Sequence, residues 1–155
     1  MKKITLLVVL FYVVVITAKA QDLLGAAKNK IKKQMALQGG ILAKDKITSD
    51  FVNPEPYNLL IYKYDEATMK KTDITLTIFK LKDKKCFEEL VSYASEKHLK
   101  ELVSLFNSTE SSTGNSLMWV NKQKGYKISI SKSTPNNTNY SPFILEMYKT
   151  GGAND

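Results

Sequence analysis

The segment Gly125–Ser131 reads GYKISIS, and its side chains change character at every step. Tyr126, Ile128 and Ile130 fall on one side of an extended chain, and Lys127, Ser129 and Ser131 on the other. A period of two does not fit a helix; it defines a strand with one face in a core and one in water. Similar stretches, rich in aromatic and β-branched residues, are Tyr57–Tyr64 (YNLLIYKY), Asp73–Lys82 (DITLTIFKLK), Ser116–Asn121 (SLMWVN) and Pro142–Lys149. In the last of these Phe143, Leu145 and Met147 take the core face.

Two other stretches carry helical spacing. In Gln21–Gln38 the residues Leu24, Ala27, Ile31 and Met35 recur along one edge, with Asp22 as a cap and Gly39-Gly40 as the stop. In Lys84–Asn107 a stripe of Phe87, Leu90, Val91 and Ala94 is followed by a second of Leu99, Leu102, Val103 and Phe106. The second is rotated by roughly a quarter turn from the first at 100° per residue, so the spacing predicts a break near Ser95. Residues 41–56 hold Pro54 and Pro56 and read as an irregular linker, with Ile47 and Phe51 docking on the main domain. Residues 65–72 read as a loop joining two strands.

The expected fold class is therefore α+β: an antiparallel sheet of about five strands with helices packed on one face, preceded by an N-terminal amphipathic helix. The organisation expected is a cleaved signal peptide over residues 1–20, a helix and linker over 21–56, an α+β domain over 57–150, and a frayed tail over 151–155. No internal sequence repeat is visible.

The signal reading rests on Lys2 and Lys3 ahead of the apolar run Ile4–Ile16, followed by Ala18-Lys19-Ala20. The run is shorter than the about 20 residues a spanning helix needs, and has the length of a signal core. Small residues at Ala18 and Ala20 fit a signal-peptidase site. Cleavage after Ala20 leaves a secreted or periplasmic protein, and the Lys-Lys start points to a bacterial envelope.

Charge excludes one class of partner. The chain has a formal net charge of +8, and loss of the signal removes three of its lysines. All its basic residues are lysine, with no arginine. Arginine supplies the bidentate contacts that read phosphate and guanine, so no nucleic-acid partner is expected. Lys28, Lys30, Lys32 and Lys33 crowd the first helix and are the candidate surface-basic residues for contact with an anionic membrane surface.

Catalytic and metal sites are not expected either. Cys86 and His98 are single in the sequence, so no internal disulfide forms and no metal-ligand cluster of His and Cys is present. Cys86 reads as a small buried hydrophobe. His98 lies on a helix boundary without a nucleophile motif beside it. The adjacent acids Glu88 and Glu89, like Asp65 and Glu66, read as solvated charges near lysines. No phosphate-cradling loop occurs, and no cofactor is expected. Asn107, Asn136 and Asn139 head N-x-[ST] sequons in polar loops. The best-motivated binding residues are Trp119 and Tyr126, which flank one hairpin and would offer rings to a ligand if they fell on an uncovered sheet face.

Three functional readings fit the sequence. One is a non-enzymatic exported domain that binds a protein or envelope component through its sheet. Another is a small exported hydrolase without a local motif. The third is an anionic-membrane binder acting through the helix at residues 22–38.

Overall fold

The computed structural model describes residues 23–114, 117–132 and 143–150. The expected signal at 1–20, the tail at 151–155 and the sequons at Asn136 and Asn139 lie outside these residues. Within them the chain runs α1 (Lys28–Leu37), β1 (Gly40–Thr48), β2 (Tyr57–Tyr64), α2 (Glu66–Thr72), β3 (Ile74–Lys82), β4 (Lys85–Tyr93), α3 (Leu99–Thr109), β5 (Ser111–Ser112), β6 (Met118–Asn121), β7 (Tyr126–Lys132) and β8 (Phe143–Lys149). All eight strands join one sheet in the order β1-β2-β3-β4-β8-β7-β6-β5, antiparallel throughout.

That order is two four-stranded meanders joined at their last strands. Each follows a helix, α1 before β1–β4 and α3 before β5–β8, and β4 pairs with β8 at the seam. Hairpins are the shortest way to pair consecutive strands, which explains the order within each half. The β3–β4 turn is the tightest: Lys82 faces Lys85, and Asp83 and Lys84 both take positive φ, 50° and 67°. Two central residues with positive φ match the right-handed twist of the flanking strands.

One row of directly opposed residues crosses the whole sheet: Asp45, Leu60, Phe79, Glu89, Met147, Ile128, Trp119 and Ser112. Opposed residues share a face, so this row marks the covered side. Above it α1 buries Ile31 and Met35, and α3 buries Leu99, Leu102 and Phe106. Phe106 meets Trp119 with ring centroids 5.2 Å apart, and Tyr93 stacks on Phe143 at 4.4 Å across the seam. Gly40 brings β1 so close to α1 that an added Cβ would lie 3.1 Å from the Met35 carbonyl oxygen. The opposite face carries no described helix.

The sheet has eight strands rather than about five, so the expected fold class is corrected. Three segments account for the difference. Gly40–Thr48, expected to be irregular, is strand β1. Lys85–Tyr93, expected to be helical, is strand β4. Ser111–Ser112 adds a short strand at the far edge. In the other direction, residues 65–72 contain a helix, α2, where a loop was expected. Asp65 caps it by accepting from the Thr68 N–H at 2.7 Å, and Asp73 closes it in the left-handed region. Ser95 does not start a helix; its N–H and hydroxyl donate to Asp73, and α3 begins after His98.

Candidate functional site

Two places stand out: the middle of the covered face, and the β1 edge. At the first, Glu89 lies between Phe79 and Met147 in the central row and is 2 % exposed. It is a core residue, not the solvated charge expected of it, and Glu88 is also buried. The Glu89 Oε2 atom has no hydrogen-bond partner, and neither has the buried Tyr62 hydroxyl. Burial pushes the Glu89 carboxyl well above the usual carboxylate range, because an ionised group would be desolvated there without compensation. A carboxyl whose protonated form burial favours therefore sits at the heart of the sheet.

Burial, and then the nearby Glu89, also pushes the Cys86 thiol up. Its sulfur donates to the Glu88 carbonyl at 3.4 Å. Cys86 is thus a buried thiol far from the thiolate state that nucleophilic chemistry needs. His98 is buried and its Nδ1 lies 3.0 Å from Glu101 Oε2, within one turn of α3. Among the described residues no group of three or more His, Cys, Asp or Glu is placed to hold a metal. No helix among them is long and apolar enough to cross a membrane.

Trp119 and Tyr126 are both on the covered side of the sheet. The Trp119 ring is fully buried under α3, and its indole N–H donates to Asn107 Oδ1 at 2.8 Å. The Tyr126 hydroxyl donates to Glu110 at 2.9 Å and accepts from Asn121 at 3.3 Å. Neither ring faces solvent. The four helix lysines divide. Lys28 and Lys32, one turn apart, clamp the two carboxylate oxygens of Asp45 at 2.6 and 2.7 Å, while Lys30 and Lys33 point into water. The apolar side of α1 is occupied by the core through Ile31 and Met35.

The β1 edge has a different character. Every exposed large hydrophobic residue among those described lies on or beside it: Leu37, Ile41, Leu42, Ile47, Phe51 and Val52. Ile47 is 77 % exposed and Phe51 wholly so; neither docks on the domain as expected. β1 pairs only with β2, so its other side presents unpaired backbone groups along nine residues. Register fixes the two faces. Leu42, Asp45 and Ile47 lie on the helix side, opposite Tyr62, Leu60 and Asn58. Ile41, Lys44 and Lys46 lie on the outer side, opposite Lys63, Ile61 and Leu59.

Phe51 and Val52 are held out on a pinned tip. Asp50 accepts from the Asn53 N–H at 2.6 Å and from the Tyr57 hydroxyl at 2.7 Å, and the Asp50 N–H donates back to the Asn53 carbonyl at 3.0 Å. Those donors, Tyr57 first, hold the Asp50 carboxyl below its ordinary pKa. Burial and the Asp50 bond push Tyr57 up to about 12. At the same end of the sheet a hollow of about 470 Å³ opens between Ile47, Tyr57, Leu81, Lys28, Lys82 and Lys84. An apolar group of side chains beside unpaired backbone groups and an open hollow can take another chain.

The described residues thus form an eight-stranded antiparallel sheet, helix-covered on one face, with an open edge at β1 that carries exposed apolar side chains. No protein-family model matches the chain, and neither a curated protein nor a solved structure does.

Proposed function

We propose that this is a non-enzymatic exported domain that binds a protein partner, and that the β1 edge with its Phe51–Val52 tip is the binding surface. The observation that carries the reading is the confinement of the exposed large hydrophobics to this one region. Scattered apolar side chains are ordinary on protein surfaces, but their gathering along one open strand and its flanks marks an interaction site. The pinned Asp50 turn supports it, since an ordered tip loses less conformational entropy on binding. Export rests on the segment Met1–Ala20 and its A-x-A ending.

Photo-cross-linking tests the reading. A benzophenone side chain replaces Phe51 in one full-length variant and Lys122, in the β6–β7 turn, in another. In the native cells the Phe51 position should give a discrete protein adduct and the Lys122 position none. Equal yields, or no adduct from Phe51, would remove the basis for a β1 binding surface. Mass spectrometry of the purified protein should find Gln21 as its first residue.

A further inference from the structure

We infer that β1 receives an extended, acidic segment of the partner protein as a ninth strand, its carboxylates facing Lys44, Lys46 and Lys63. This rests on the reading of β1 as the binding edge and names the chemistry of what fits there. Three observations lead to it.

First, the outer side of β1 itself has charge of a single sign, the acid past its end, Asp50, being held by Tyr57 and Lys80. Lys44 and Lys46 lie two residues apart on that face, and Lys63 of β2 lies beside Ile41. None of the three makes an ion pair among the described residues, whereas Lys28, Lys32, Lys70, Lys80, Lys82 and Lys132 all do. Second, the one acid of β1 is already satisfied. Asp45 points to the helix side, where hydrogen bonds from Lys28 and then Lys32 hold its carboxyl far below the usual range. The edge therefore offers cations outward and keeps its anion for α1.

Third, the same charges oppose a second copy. Two β1 strands joined antiparallel about a twofold axis would keep outer face beside outer face. Pairing centred on Lys44–Ile47 then brings Lys44 or Lys46 opposite or diagonal to a lysine of the other copy, and like charges directly opposite are destabilising. The register shift between Leu42 and Lys44 further breaks the regular edge. A strand with acidic side chains on one face removes the repulsion, and apolar side chains on its other face would meet Leu42 and Ile47. A lipid surface would meet the lysines but supplies no strand to satisfy the open N–H and C=O groups.

The full chain is titrated by fluorescence anisotropy against labelled peptides of about nine residues, the length of β1. One alternates Val and Glu, one alternates Val and Gln, and one is the Val/Glu peptide N-methylated at alternate residues. The Val/Glu peptide should bind at least about tenfold more tightly than Val/Gln, about 1.4 kcal/mol. That preference should shrink with added salt and in the exposed double variant Lys44→Ser/Lys46→Ser. N-methylation should abolish binding. Equal affinity for Val/Glu and Val/Gln would overturn the acidic inference and leave β1 as a binding edge. Undiminished binding of the N-methylated peptide would overturn strand addition. If no peptide binds while vesicles of anionic phospholipid do, through Lys44 and Lys46, the inference also fails; the Phe51 cross-link then decides the β1 reading by itself.

Discussion

The two ends of the sheet are counterparts. β1 and β5 each open a four-stranded meander and each follows a helix, yet they have been built in opposite ways. β5 is two serines long, and the residue it covers, Trp119, is sealed against Phe106. Among the described residues no large apolar side chain is exposed there, and β5 offers little backbone. β1 is nine residues long with Ile41, Leu42 and Ile47 exposed. Short and polar edges are how sheets avoid unwanted pairing, so the contrast locates the edge at which pairing is tolerated. On the proposed reading, Lys44, Lys46 and the register shift at Ala43 narrow the partners of that edge rather than closing it.

The largest expected effect falls on the closed end. Trp119→Ala removes the ring that Phe106 and β5 rest on, and should cost about 3–5 kcal/mol in denaturant unfolding, with early exchange of the Ser111–Ser112 amides. Retention of full stability would mean that β5 is not held by what lies beneath it.

Next is Glu89, midway between the ends. Its raised pKa means that the native state holds a proton that the unfolded chain has released above about pH 4.3. Stability on this account falls as pH rises through that window. Glu89→Gln should remove the fall and gain on the order of 1–3 kcal/mol at pH 8, with no gain below about pH 4. Urea melts of both proteins across pH read this out; parallel pH profiles would show that the carboxyl is not buried as described.

Asp45→Asn tests the open end. The native pKa of Asp45 is lowered, so its contribution is present above the unfolded value of about 3.9 and lost as pH falls below it. The ion pairs are partly solvated, so after screening the loss should be only about 0.5–1 kcal/mol. Faster amide exchange in β1, with β7 unchanged, is the expected signature. The smallest effect belongs to Phe51→Ser with Val52→Ser. Stability should shift by no more than about 0.5 kcal/mol, because neither side chain is buried. Partner binding should be lost; if it persists unchanged, the tip plays no part in the contrast between the edges.

Four strands were legible as strands: Tyr57–Tyr64, Ile74–Lys82, Tyr126–Lys132 and Phe143–Lys149. Only the last two also showed which face is covered; in Ile74–Lys82 the alternation of Ile74, Leu76 and Ile78 with Thr75 and Thr77 suggests the wrong face, since Thr77 is buried and Ile78 lies outward opposite Leu90. β4 was not legible as a strand, for a specific reason. Its covered side holds Glu89, Val91 and Tyr93 while Leu90 faces outward, so a carboxylate occupies a core position and a leucine an outer one. With Phe87 and Ala94 this imitates helical spacing. The buried carboxyl that makes the centre of the sheet unusual is what hid the strand. β1 was missed because both of its faces are exposed: GILAKDKIT shows no alternation when neither side is in a core. The proposed site is thus the part of the fold whose pattern departs furthest from that of a packed strand. Trp119 and Tyr126 drew notice as aromatic residues of one hairpin, but ring chemistry does not say which face of a sheet is covered.

The seam between β4 and β8 sets a timetable. Consecutive strands of the first meander zip together locally, but β4 must wait for β8, Phe143–Lys149, about fifty residues further on, before its second side is paired. Bringing such distant segments together is slow relative to hairpin closure. A nascent chain released before Phe143 would carry an open strand at β4 as well as at β1, and would be prone to aggregate through both. For a protein exported as proposed, threaded through a membrane before it folds, the consequence is that the sheet closes only once Phe143–Lys149 has crossed.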